Sequence, residues 1–404
     1  RWLSDWSSDV CSSDLGGSTE FRVNQRMAGN TWVHLGTFRF RAGADARAAS
    51  VELDNASATA GAVVSADAVK IGGGMGSVVR GAGVSGYPRY AEGARYWFQY
   101  AGIDPALAYA FGSHAGNEYT EDYMGRSEYA NILTGAPNGP SANAAFAGLG
   151  VPVDLSFSLH TDAGISTGTV GTLAIYTGRG ENRSPRFPDG RTRLMNRDLA
   201  DMIQTQIVDD VRAKYATDWE RRDLRDASYA ESRRPNTPSV LFELLSHQNY
   251  DDMKFALDPR FRFDVARAMY KGMLRWMAHE YGITAVVAPL APDHLQVRAV
   301  SPTRIRVAWK PVADPLEPTA NPEGYIVYTR AGAGGFDNGT LVRGAENTTL
   351  ELAVNDPSAI LGVRVTAYNG GGESLPGEVL CARVGGGGGA RAPPRPPHDR
   401  QPPP

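Results

Sequence analysis

Val153–Gly164 reads VDLSFSLHTDAG. Its apolar residues alternate as far as Leu159 and then give way to His160, Thr161 and Asp162, with Gly164 close behind. This predicts a buried strand, VDLSFSL, that stops at a polar tip. In an open α/β sheet ligands bind outside such strand ends, and glycine lets the backbone turn away. A second stretch echoes it. Ser239–Leu245, SVLFELL, is again a buried strand, and it carries Glu243 among apolar neighbours. A buried carboxylate is costly unless a cation or hydrogen bonds hold it. A histidine at one strand end and a glutamate on another strand predict a metal site with a general base.

The order of elements around these strands predicts an α/β sheet covered by helices. GTLAIYT, Gly171–Thr177, is a further apolar strand. Asn196–Tyr215 has helical spacing of Leu199, Ile203, Ile207 and Val211, with Asn196 as a plausible N-cap. The polar run from Trp219 to Arg233 reads as a loop, and FRFDVARAMYKGMLRWMAHEYG as a long final helix. Ahead of the central strand, Asp104–Gly150 reads as a long irregular region with a short surface helix over Met124–Leu133. Its polar run Tyr119–Tyr123, with Arg126, is placed to build the wall of a substrate site.

Outward from this centre the text changes class. From Glu20 to Gly76 it is all β, with FRVNQ, TWVHLGTFRF and ASVELDNAS between Gly and Asn turns. From Pro289 to Arg383 it alternates again, through HLQVRAV, TRIRVAW, GYIVYTR, TTLELAV and ILGVRVTAYN. SGYPRYAEGARYWFQYAG, between the first β region and the centre, opens on Pro88 and continues with helical spacing. The chain ends in GGGGGARAPPRPPHDRQPPP, a composition that stays extended or disordered. It begins with RWLSDWSSDVCSSDL, which has no apolar core of a signal peptide and reads as a foreign or disordered leader.

Composition bounds the partners. The chain has 404 residues, enough for two or three domains, and a net charge of −3 with no long basic block. That argues against nucleic acid as the main partner. Two cysteines, Cys11 and Cys381, are too few for a cysteine metal cluster or a disulfide framework. No apolar run reaches the length of a membrane span.

Three resemblances sharpen this. NQ…TWVHLGTFRF…ASVELDNAS…VVSADAVKIGGG resembles the second half of a golvesin-type domain, also described as a xanthan-lyase carbohydrate-binding-like domain. It implies a β-sandwich with a carbohydrate-binding role. Trp32 is the sugar-stacking candidate by type, although its alternation with Val33 and Leu35 also suits a core residue. GVRVTAYNGGGESLPGEV resembles the last strands of a fibronectin type III domain and implies a seven-strand sandwich.

The middle resembles the zinc-dependent N-acetylmuramoyl-L-alanine amidases of cell-wall turnover. There, one strand ends S-x-H-x-N, and a later strand reads P-x-x-L-x-E before S-N and an acidic residue. Here His160 matches the metal histidine and Glu243 the catalytic glutamate, while Ser246, Asn249 and Asp252 match the polar turn. His160 is followed by Thr-Asp where the family has a different pair. The resemblance also implies a histidine and a glutamate ahead of the golvesin-like insert, so two ligands are expected to be missing from this chain. Glu92, His114, Asp122 and His247 are the side chains that could substitute, and no spacing favours one. Asp162, Tyr119, Arg126 and Asn249 are the substrate-binding candidates.

The expected organisation is therefore multidomain. It comprises a leader over 1–15, a partial golvesin-like β-sandwich over 16–85, an amidase-like α/β domain with a mostly parallel central sheet over 86–284, a fibronectin type III sandwich over 289–384, and a Gly/Pro-rich tail over 385–404. The expected function is that of a zinc amidase acting on peptidoglycan or another glycan, secreted or at the cell surface as the module types imply. The alternatives are a non-catalytic carbohydrate-binding scaffold and a polysaccharide lyase. The last follows the label xanthan lyase carried by Bacteroidetes-type proteins with this combination of modules, and a label is not chemistry. Tyr119 as base and Arg126 beside a uronate would be its parts.

Overall fold

The computed structural model describes residues 103–383, apart from 166, 169, 333–335, 357 and 359, and before them 51, 53, 69, 79–80, 83–84, 93–95 and 98. The leader, the tail and nearly all of the golvesin-like stretch, Trp32 included, lie outside the described residues. The chain divides between Thr284 and Ala285 into two compact units.

The first unit is built on a mixed four-stranded sheet. Its strands are β1 (Ser156–Asp162), β2 (Thr172–Tyr176), β3 (Arg221–Asp226) and β4 (Ser239–Ser246). Their order is β1-β4-β2-β3, with β1 parallel to β4, β4 antiparallel to β2 and β2 parallel to β3. Besides a short helix over Pro105–Ala108, the helices are α1 (Glu118–Thr134), α2 (Leu194–Lys214), α3 (Ala230–Arg233), α4 (Tyr250–Ala256) and α5 (Pro259–Tyr281).

The apolar run of β4 follows from its central place, because both its faces are covered. Val240 and Phe242 face the main core with Leu199, Ile203, Ile207 and Val211 of α2 and Phe261, Val265, Ala268 and Trp276 of α5. Leu241 joins Leu173 and Ile175 in a separate cluster on the other face. Each such side chain contributes roughly 1.5–3 kcal/mol on full burial. Gly272 brings α5 against α2, since a Cβ there would lie 2.6 Å from the Ile203 Cα. α5 starts with Asp258 capping and Pro259 next, and ends on Gly282 in the left-handed region at φ 63.

Four sequence expectations need correcting. β1 does not stop before His160 but continues through Asp162. The N-cap of α2 is Arg193, and Asn196 is instead buried inside the helix, donating to the Thr177 carbonyl and accepting from the Ser239 N–H. The region expected to be irregular holds the 17-residue α1, capped by Asn117. The polar run after Trp219 forms β3, an edge strand whose single apolar residue is Leu224.

The second unit is a pair of antiparallel sheets. One holds β5 (Asp293–Ser301), β6 (Arg304–Lys310) and β9 (Thr349–Ala353). The other holds β7 (Gly324–Ala331), β8 (Thr340–Arg343), β10 (Ile360–Asn369), β11 (Gly372–Glu373) and β12 (Leu380–Arg383). Val297, Ile305, Val307 and Trp309 from the first meet Tyr325, Val327, Val363 and Val365 from the second in one apolar core. This sandwich agrees with the fibronectin-like reading. Asn369 closes β10 by donating to the carbonyls of Val287, Thr319 and Asn321. Among the described residues no helix is long and apolar enough to cross a membrane.

Candidate functional site

Parallel pairing sets His160 of β1 directly opposite Glu243 of β4. Side chains of paired residues point to the same face of a sheet. The pairing of Glu243 with Leu173, and of Leu241 with Ile175, identifies that face as the one away from α2 and α5. The structure thus brings the two strand-borne groups singled out in the sequence onto adjacent positions of one face.

The partner of His160 is a residue that the sequence reading left in a loop. Its Nε2 lies 2.9 Å from Oε1 of Glu231, the second residue of α3. Glu231 is 5% exposed, and its carboxylate is also 3.2 Å from the Arg126 guanidinium of α1. Burial pushes the Glu231 acid upward, but the His160 hydrogen bond and the Arg126 charge outweigh it and hold the acid below its usual range. The same hydrogen bond raises the His160 imidazole above its ordinary value, against the effect of burial. The pair therefore favours imidazolium against carboxylate.

Glu243 is held differently. Burial, followed by the nearby charge of Asp162, raises its acid, while His160 and Arg222 pull the other way. Its Oε2 is buried with no hydrogen-bond partner among the described residues. Asp162 is itself paired with Arg222 of β3. The result is an acid–base group with a raised pKa, flanked by one imidazole and two guanidinium–carboxylate pairs.

The other sequence candidates divide. Arg126 and Asp122 lie on α1 beside the cluster, 3.7 Å apart, and Asp122 also accepts from the Ala94 N–H. Tyr119 stands on the same helix and is 81% exposed. Asn249 is buried, and both ends of its amide are used, one accepting from the Asp251 N–H and the other donating to the Gly168 carbonyl. It belongs to a clasp between the segments that follow β1 and β4. In that clasp Asp252 accepts from the N–H groups of Val170 and Ser246, and Ser246 donates from its hydroxyl to the Ile165 carbonyl. His247 is exposed, with Nδ1 3.0 Å from the Thr161 hydroxyl. Glu92 and the side chain of His114 lie outside the described residues.

A catalytic zinc takes about three protein ligands and an open position. Among the described residues no three His, Cys, Asp or Glu side chains gather to hold a metal ion. The nitrogen of His160 that faces the site is engaged by Glu231, which Arg126 already neutralises in part. These residues alone do not fit a zinc site.

Residues 140–275 match the N-acetylmuramoyl-L-alanine amidase family model, and residues 10–73 match that of the Golvesin C-terminal domain. No curated protein matches the chain. Among solved structures, an N-acetylmuramoyl-L-alanine amidase from Clostridium difficile 630 is 17% identical at a TM-score of 0.26, over 38% of this chain and 63% of that one. The chain therefore spans under two thirds of that amidase. The FN1–FN3 domains of chicken CNTN1 are 22% identical at a TM-score of 0.20, over 24% of this chain and 33% of theirs. A structure described as a myokine is 17% identical at 0.21, over 24% of this chain and 97% of that one.

Proposed function

We propose that the α/β unit, whose residues 140–275 carry the N-acetylmuramoyl-L-alanine amidase family match, hydrolyses the amide between a muramoyl-type sugar acid and a peptide in cell-wall material. The observation that supports it best is Glu243: a half-buried carboxylate with a raised acid and an unpartnered oxygen, opposite His160 on the next strand. Amide hydrolysis needs one proton taken from water and one delivered to the leaving nitrogen. A carboxylate whose pKa has been moved toward neutrality can do both in turn. Glu231 keeps the His160 imidazole oriented and favours its charged form. The imidazolium and the Arg126 guanidinium then offer positive charge where an oxyanion develops.

Zinc enters through the family resemblance. When bound, it would polarise the scissile carbonyl and acidify a water. The described residues do not complete its site. Export to the cell surface is part of the same proposal, since the substrate lies there.

The test is release of peptide from purified peptidoglycan by the full chain. Glu243→Gln is expected to slow it by about 100-fold or more. Bound zinc is measured in the same preparations, and with Nε2 of His160 engaged by Glu231, His160→Ala is expected to leave it unchanged. Equal rates for wild type and Glu243→Gln would replace the amidase reading with that of a glycan-binding scaffold.

A further inference from the structure

α1 presents an unusual outer face. Its inner side is fixed by buried polar contacts, with Glu128 paired to Arg234 at 2.8 Å and Asn131 accepting from the Asn236 N–H at 2.6 Å. These contacts lock the helix onto the segment that follows Glu231. Its outer side carries Tyr119, Tyr123 and Arg126, spaced at helical intervals so that they share one face. Tyr119 is 81% exposed, and its ring meets that of Tyr123 edge to face at 5.5 Å between centroids. Arg126 is 43% exposed and ends at the Glu231 carboxylate.

A ring left this open adds nothing to the core. Its place on a helix whose Arg126 reaches the Glu231 carboxylate is what needs explaining. We propose that Tyr119 and Tyr123 form a stacking platform for the glycan of the substrate, with Arg126 linking that platform to the reacting groups. The proposal rests on the amidase reading and names which part of the substrate this helix takes. Pyranose rings offer a flat face of C–H groups that packs on aromatic rings, with hydroxyls left over for Arg126 and Asp122. From Tyr119 to Arg126 the helix rises roughly 10 Å, a span comparable to a disaccharide. An extended peptide is the weaker fit, because the face offers neither a strand edge nor a row of backbone groups to pair with.

The platform is tested in the full chain with fluorotyrosine at position 119. Peptide-free glycan strands and free stem peptide are added separately, to wild type and to Glu243→Gln. The expected result is a saturable shift of the ring resonance with glycan strands, equal in Glu243→Gln, and little with stem peptide. Replacing both rings, Tyr119→Ala with Tyr123→Ala, should weaken glycan binding about tenfold or more, and Tyr119→Phe should restore most of it. A resonance that stays still at saturating glycan, or moves only with stem peptide, overturns the platform. A glycan-dependent shift in a chain that hydrolyses nothing overturns the amidase reading and leaves the platform standing.

Discussion

Glu243 stands where a carboxylate is costly to hold. A buried carboxylate oxygen without a partner costs roughly 1–3 kcal/mol, and strand position holds it in place regardless. Its acid is raised above the ordinary value of 4.5, chiefly by burial. Between the ordinary and the raised value the folded chain binds the proton that the unfolded chain has released, so stability falls as pH rises through that window. Glu243→Gln removes this slope. At about pH 4 the variant should match wild type, and at about pH 8 it should melt higher. Thermal unfolding at both pH values decides it, and a gain of the same size at both would mean that ionisation is not the cause. Glu243 and His160 were legible in the sequence because each interrupts a regular apolar strand. Glu231 was not, because it sits in a four-residue helix and meets His160 from 71 positions away. Its single sequence trace is an acid just upstream of the Glu243 strand.

Elements were legible where one face is apolar and ends are marked. α5 has both signals, with Pro259 at its start and Gly282 at its end. α1 has marked ends in Asn117 and Gly135 but no apolar stripe, since its buried side includes Glu121, Ser127, Glu128 and Asn131. Its stability comes from polar contacts with residues near position 234, which no local pattern reveals. β3 escaped for a similar reason, as an edge strand can be polar on both faces. The turn after β4 was legible as a motif, and its physical role emerges only in three dimensions. Asp252, fully buried, ties the segment after His160 to the segment after Glu243. Asp252→Ala would leave two backbone N–H groups without acceptors, a loss of about 3–5 kcal/mol. Chemical denaturation should show that loss, and amide exchange at Val170 and Ser246 should rise first. Unchanged exchange at both amides would mean that water or a neighbouring group takes over the clasp.

At the scale of the whole molecule, the amidase-like and fibronectin-like parts were separable in the sequence by the change of period, from mixed strand and helix to continuous alternation. The compact units divide between Thr284 and Ala285. Among the described residues each apolar cluster lies within one unit. Phe242, 0% exposed, packs with Phe157, Val240, α2 and α5, whereas Trp309, Tyr325 and Val365 belong to the sandwich core. Truncating an aromatic in a filled core removes about 3–5 kcal/mol, because the cavity closes only in part. Phe242→Ala should therefore speed amide exchange throughout β1, β4, α2 and α5. Amides in β7 and β10 should keep their wild-type protection, since no side chain packed on Phe242 belongs to the sandwich core. The reciprocal change, Val365→Ala, should loosen β7 and β10 and leave the strand positions of His160 and Glu243 protected. Hydrogen exchange read segment by segment in the full chain separates this from a single cooperative core, in which either substitution would lower protection in both units together.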